Sequence, residues 1–241
     1  MRIVITAIGL LLGSFYIIPY HFYLKKLFKT NPELSWKKAH KVVYTFFKME
    51  LGISRGKLDI RGIENIPKDT PSLFVGNHRS YFDIISSLIA INQPLGFISK
   101  KEMNKIPILN LYMRDMGTLF LDRDDIRQGL ATINQGAEFM KQGHSMVLFP
   151  EGHRNQTDEL LPFKEGGYKM ADKSGCPIVP FAITGSEFLF EKKPAGPLKK
   201  RKIIIEFGEP IYTSKYSLKE RKEIVSTIPD RILAMRKTHR L

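Results

Sequence analysis

The chain is poor in cysteine: Cys176 stands alone among 241 residues. No internal disulfide can form and a cysteine-rich metal site is excluded, which fits a reducing compartment. A lone Cys before Pro177 in an apolar stretch reads as core. No H-E-x-x-H, no paired cysteines and no clustered Asp/Glu set occur, so the usual zinc and magnesium signatures are missing. The G-x-S-x-G elbow of serine hydrolases is missing as well. So are internal repeats, low-complexity linkers and the helix-turn-helix, zinc or aromatic signatures of nucleic-acid binders. Acidic residues are scarce: 24 Asp and Glu face 38 Lys and Arg, a formal net charge of +14. That excess calls for an anionic partner, whether membrane surface, nucleic acid or phosphorylated substrate.

What is present begins with an apolar run from Ile3 to Leu24 that holds no Lys, Arg, Asp or Glu. About 20 such residues span a bilayer core. A signal peptide and a buried core helix are the competing readings; the run has only Arg2 before it and no small-x-small cleavage site after it. Lys25, Lys26 and Lys29 outweigh Arg2, which orients the C-terminal bulk to the cytoplasm. A second helix is expected from an N-cap at Ser35 to a stop at Gly52. Trp36, Val43, Phe46, Phe47 and Leu51 alternate there with Lys37, Lys38, Lys41 and Lys48. Such a helix either lies in a lipid headgroup layer or packs on its own domain with a solvated lysine face. Residues 1–54 are thus read as a membrane-associating two-helix segment and 55–241 as a separate domain on the cytoplasmic face of the cell membrane. The basic run Lys199-Lys200-Arg201-Lys202 reads as a solvated turn.

From residue 55 onward short apolar runs alternate with helical stretches. Strands are expected at 57–61, 72–75, 96–99, 118–121, 146–149, 178–183 and 202–207. Helices are expected at 81–91, 108–116, 125–142, 166–174 and 217–236. The pattern predicts an α/β fold: a mixed, largely buried sheet flanked by helices. Hydrophobic content of 43% with 11% aromatics suits a packed core.

Chemistry gathers where strands end. Asn77-His78-Arg79-Ser80-Tyr81-Phe82-Asp83 follows one strand and opens a helix, so the Asp83 carboxylate can fold back onto the His78 imidazole. A carboxylate on one ring nitrogen fixes the tautomer and leaves the other nitrogen free as a base. Arg123 and Arg154 each follow another strand and could form an anion clamp. Surface pairing with Asp122 or Glu151 is the alternative for each. Glu151 could also orient Arg154.

These segments resemble the glycerolipid acyltransferases, specifically the bacterial 1-acyl-sn-glycerol-3-phosphate acyltransferases. Asn77, His78 and Asp83 match N-H-x-x-x-x-D; Gly117, Phe120 and Arg123 match G-x-x-F-x-x-R. Phe149, Pro150, Glu151, Gly152 and Arg154 match F-P-E-G-T-R, and Val179-Pro180-Phe181 a short proline segment. The resemblance spans roughly residues 35 to 210. Three departures stand out: His153 in place of Thr, Phe181 in place of a small aliphatic residue, and Glu165 where a basic residue is common.

The resemblance implies that the acceptor's own hydroxyl attacks an acyl thioester on coenzyme A or acyl carrier protein. His78 is then the general base and Asp83 its orienting partner. It implies that Lys100 (or, fitting less well, Lys101), Arg123, Glu151, Gly152 and Arg154 bind the substrate. A backbone N–H near Gly152 or in the proline segment would serve the oxyanion. No metal or cofactor is implied, since a thiolate leaves readily. The implied reaction makes phosphatidic acid from lysophosphatidic acid at a phospholipid membrane. Another lysophospholipid or an ornithine-type lipid as acceptor, a thioester hydrolase, and a non-catalytic basic membrane-binding protein are the competing readings. Oligomeric state is left open.

Overall fold

Two four-residue strands are buried at every position, and their sequences say why: Leu73-Phe74-Val75-Gly76 and Ser145-Met146-Val147-Leu148 have no polar face to offer water. Such runs belong in the middle of a parallel sheet covered on both sides. The computed structural model describes residues 18–155, 157–192 and 199–239. Seven strands form one sheet: β1 (Gly56–Arg61), β2 (Leu73–Gly76), β3 (Leu95–Lys100), β4 (Leu119–Leu121), β5 (Ser145–Leu148), β6 (Ile178–Thr184) and β7 (Arg201–Phe207), in the order β1-β7-β6-β2-β5-β3-β4. Every neighbouring pair is parallel except β6 and β7, which makes the sheet mixed as expected.

Side chains alternate between two cores, as the period of a strand requires. Phe74, Val147, Phe181 and Phe207 face one core. There they meet α1 (Pro32–Ile53), α2 (Phe82–Ile91) and Tyr112 of α3 (Leu109–Asp115). Leu73, Val75, Met146, Leu148 and Ala182 face the other. There α4 (Ile126–Lys141), α5 (Lys169–Ser174) and α7 (Ile228–Thr238) cover them. Cys176 is buried in this second core.

Strand ends agree with expectation to within one residue. The helices differ in three informative places. The span 217–236 is two helices, α6 (Leu218–Ser226) and α7, parted at Thr227. Pro229 enters the first turn of α7; lacking an N–H, it tolerates that position but not a helix interior. Glu165–Tyr168 is a tight 3-10 turn, so only the second half of the stretch at 166–174 is α-helical. The cap of α1 is Asn31, whose side chain accepts from the Leu34 N–H, with Pro32 next. Ser35 instead donates its hydroxyl to the Leu24 carbonyl, 3.1 Å away, tying α1 to the helical residues 18–28.

The apolar stripe of α1 is occupied by its own domain. Trp36, Ala39, Val43 and Leu51 are buried, and the Trp36 ring stacks on His144 at 4.1 Å. Lys37, Lys41 and Lys48 face solvent, while Phe46 and Phe47 are half-buried. This is the own-domain alternative for the amphipathic helix. Most of the apolar run at 3–24 lies outside the described residues. Among the described residues, no helix is long and apolar enough to cross a membrane. Arg201 and Lys202 of the basic run open β7, and Lys202 pairs with Asp59 at 2.9 Å.

Candidate active site

Strand β2 lies between β5 and β6, and the loops leaving the C-terminal ends of all three meet. Ligands of open α/β sheets gather at such edges, where connections diverge to opposite sides. Asn77, the first residue past β2, is wholly buried and acts as a piece of extra backbone. Its amide donates to the Ile183 carbonyl at 3.0 Å and accepts from the Ile183 N–H at 2.8 Å. That pair of hydrogen bonds ties the end of β2 to β6 and fixes where residue 78 begins.

His78 is then held on three sides. Its Nδ1 lies 2.9 Å from Asp83 Oδ2. Its ring stacks on Phe149, 4.4 Å between centroids and 15° from parallel. Its backbone N–H donates to Glu151 Oε1 at 2.8 Å. The His78 side chain keeps 15% of its surface exposed, whereas Asp83 has none. Oδ2 of Asp83 also accepts from the N–H groups of Arg79 (2.6 Å) and Ser80 (2.8 Å). Oδ1 accepts from the Ser186 hydroxyl at 2.5 Å. Fixed by these donors, the Asp83 carboxylate holds Nδ1–H toward itself. Nε2 is left with its lone pair for an incoming proton. The Phe149 ring rests in turn on Phe181, which fills the space where a side chain on Gly76 would stand. The Phe181 departure is accommodated because Gly76 has no Cβ.

The F-P-E-G loop brings the cations. Gly152 has φ of +74°, and a Cβ there would come to 3.4 Å from the Arg123 guanidinium. Glycine therefore serves both the left-handed turn and the close approach. Arg123 ends against this glycine with a buried Nη1 that has no hydrogen-bond partner among the described residues. Neither expected carboxylate takes it: Asp122 pairs with Lys101 at 2.6 Å, and Glu151 is engaged by backbone. Arg154 lies 3.7 Å over the Tyr81 ring and pairs with Glu191 at 3.2 Å, so the expected link from Glu151 to Arg154 does not form. Glu151 is a brace: Oε1 takes His78 N–H, and Oε2 takes the Leu161 N–H and the Asn155 amide. The Gly152 N–H donates to the Phe149 carbonyl at 3.0 Å, so it closes the turn and is not a free oxyanion donor. Lys100 ends β3 opposite Leu121, half-exposed, with Nζ 3.8 Å from Glu102. His153 and Glu165 are exposed.

These geometric features coincide with a family match. A family model described as Acyltransferase matches residues 57–184, more than half of the chain. The chain belongs to the Acyltransferase family. Among Acyltransferase relatives, a chloroplastic 1-acyl-sn-glycerol-3-phosphate acyltransferase of Brassica napus is 37% identical over 163 residues, 67% of this chain and 47% of that protein. The 1-acyl-sn-glycerol-3-phosphate acyltransferase of Borreliella burgdorferi is 29% identical over 194 residues, 77% of this chain and 74% of that one. The chain spans about half the length of the first plant relatives it matches. The crystal structure of the 1-acyl-sn-glycerophosphate acyltransferase PlsC from Thermotoga maritima superposes with a TM-score of 0.71 at 27% identity, covering 98% of both chains.

Sequence reasoning missed four members of this Acyltransferase site. Ser186 reaches Asp83 from a residue 103 positions away, just past the matched segment. Its only local mark is the preceding Gly185, a left-handed turn at φ +90°. Arg79 is buried and pairs with Glu187 at 2.9 Å. Tyr81 and Glu191 together hold Arg154.

Proposed function

We propose that the protein transfers a fatty acyl group from an acyl thioester, on coenzyme A or acyl carrier protein, to the sn-2 hydroxyl of lysophosphatidic acid, giving phosphatidic acid. The observation that carries this reading is the His78–Asp83 pair, at 2.9 Å through Nδ1, which leaves Nε2 outside the pair. The relatives and the structural neighbour are named for acylation of 1-acyl-sn-glycerol-3-phosphate, which supports this acceptor.

In this mechanism His78 Nε2 takes the proton of the acceptor hydroxyl as its oxygen attacks the thioester carbonyl. Asp83 keeps Nδ1–H in place and offsets the imidazolium charge. The tetrahedral oxyanion collapses with cleavage of the C–S bond, and the thiolate receives the proton back from His78. A general base contributes roughly 10²–10⁴-fold. Arg123 and Arg154 hold the acceptor phosphate, with Lys100 at the same sheet edge, and Gly152 lets the Arg123 guanidinium close in. Glu151 acts behind them by fixing the His78 backbone. No cofactor takes part. The protein works at the cytoplasmic face of the cell membrane. Exposed Phe22 and Tyr23, beside Lys25, Lys26 and Lys29, favour contact with an anionic lipid surface.

The test is product formation by the full chain in detergent, with acyl-coenzyme A and acyl carrier protein donors in separate reactions. Phosphatidic acid should appear with lysophosphatidic acid and fall sharply with monoacylglycerol, which lacks the phosphate. No product from either donor, or equal acylation of both acceptors, would contradict the reading.

A further inference from the structure

The turn at 186–192, just past β6, reaches back to the His78 loop and the start of α2. Gly185 bends left-handed at φ +90°, and the 3-10 helix Ser186–Phe188 follows. The turn is bonded to itself: the Leu189 N–H donates to the Ser186 carbonyl and the Lys192 N–H to the Glu187 carbonyl, both at 3.0 Å. Leu189 is wholly buried in the first core and anchors it. Three of its side chains then meet the site. The Ser186 hydroxyl donates to Asp83, Glu187 pairs with Arg79 at 2.9 Å, and Glu191 Oε1 accepts the Tyr81 N–H at 2.9 Å. All three lie beyond the matched family segment.

Glu191 is the contact with a further chemical consequence. Its Oε1 also accepts from Arg154 Nη1 at 3.2 Å, and the Arg154 guanidinium lies 3.7 Å over the Tyr81 ring. One carboxylate oxygen therefore grips both the cation and the backbone of the ring beneath it. An arginine presents its N–H donors in a fixed plane. Here Tyr81 covers one face and Glu191 takes Nη1. Nε and Nη2, which share one edge of the fork, make no hydrogen bond to a described residue. Such an edge matches two oxygens of a phosphate. The Glu191 side chain is 10% exposed and that of Arg154 34%, so the anchor is sheltered while the fork is open. Glu191 Oε2 is buried with no hydrogen-bond partner among the described residues, a cost that calls for a role beyond stability.

We propose that Glu191 is a positioning residue that sets acceptor specificity: it holds the Arg154 fork against Tyr81, ready for the acceptor's phosphate. The proposal rests on the acyltransfer reading above, in which Arg154 binds that phosphate. The orienting task that the sequence offered to Glu151 falls to a carboxylate 37 positions beyond Arg154. An unheld arginine loses its rotamer freedom when it meets a phosphate; Glu191 and Tyr81 remove that loss beforehand. An acceptor without a phosphate has no use for the fork and gains nothing from Glu191.

The test is equilibrium binding of lysophosphatidic acid to the full chain in detergent, with no thioester present. Monoacylglycerol with the same acyl chain is the phosphate-free probe. Glu191→Ala should weaken lysophosphatidic acid binding by roughly 5–30-fold, the upper figure being the rotamer entropy of one arginine side chain. Its affinity for monoacylglycerol should stay within about twofold of the parent, which also reports that the variant is folded. Glu191→Gln keeps an oxygen for both donors. It loses the charged pair but relieves repulsion toward the phosphate, so it should bind lysophosphatidic acid within about threefold of the parent. On an Arg154→Ala background, Glu191→Ala should change nothing further, because Glu191 acts through Arg154. Parental affinity for lysophosphatidic acid in Glu191→Ala, an equal loss for both probes, or an added loss on the Arg154→Ala background would overturn the proposal. Parental affinity in Arg154→Ala itself would instead refute the phosphate corner of the acyltransfer reading and take this proposal with it. The expected pattern in a protein that acylates nothing would uphold the role of Glu191 and refute the acyltransfer reading alone.

Discussion

Replacing Asp83 with Asn removes one charge and very little else. Oδ2 of Asp83 receives three N–H groups, from His78, Arg79 and Ser80, while Oδ1 receives one hydroxyl, from Ser186. An amide placed with its oxygen toward the three N–H groups keeps all three bonds. Its NH₂ then meets Ser186, whose hydroxyl can rotate to accept. The two backbone donors force this orientation, so the His78 tautomer survives. The rate loss then reports the carboxylate charge opposite the imidazolium. A lower bound is the difference between a charged and a neutral hydrogen bond, about 1.4 kcal/mol or tenfold. An upper bound is the Coulomb attraction at about 4 Å and an effective dielectric near 20, about 4 kcal/mol or a thousandfold. Steady-state assays of Asp83→Asn should therefore show kcat lower by about 10- to 1,000-fold, with both KM values and the melting temperature close to the parent. Asp83→Ala, which strands buried donors, should add a marked loss of stability. A parental kcat in Asp83→Asn, or a loss confined to KM, would refute the reasoning.

Ser186→Ala leaves Asp83 with its three N–H donors but no hydroxyl, and should lower kcat about tenfold without moving KM; an unchanged kcat would show that the hydroxyl only fills space. Gly152→Ala places a methyl on a left-handed residue 3.4 Å from the Arg123 guanidinium. It should cost about 1–2 kcal/mol in denaturant titrations and raise KM for lysophosphatidic acid, and a neutral result in both would remove Arg123 from the phosphate corner. Burial pushes the His144 imidazole down to about 3. Between that value and about 6.5 the unfolded chain binds a proton that the native chain refuses, so this contribution to stability is complete above about pH 6.5 and falls by about 1.4 kcal/mol per unit as pH drops. Asp115, held up at about 6 by burial, acts with the opposite sign over part of that window. The difference between the parent and His144→Gln isolates His144, and identical acid profiles for the two would contradict the assignment.

Much of this fold is legible in the sequence because its strands are short apolar runs closed by turn residues. Leu73-Phe74-Val75-Gly76 can be little else than a buried strand. Their order in the sheet is not legible, since β2 pairs with β5 and β6 through residues 73 and 105 positions away. The His78–Asp83 pair was legible because both partners share one turn. The partners of the charged residues were not. Asp122 stands beside Arg123 in sequence but faces Lys101, and Glu151 turns inward to the backbone that positions His78. Adjacent sequence gave the residue types at the site, whereas loop geometry chose which of them meet. The helix break before Pro229 and the cap at Asn31 were both written in local signals, and each yields to an ordinary rule of helix ends.

The most direct test of the central claim is thiol release from an acyl-coenzyme A or acyl carrier protein by the detergent-solubilised full chain, with and without lysophosphatidic acid, beside His78→Ala. The account predicts release that depends on the acceptor and falls by roughly 10²–10⁴-fold in His78→Ala, while the variant stays folded. Release at the parental rate in His78→Ala, or release from the parent that ignores the acceptor, would contradict it.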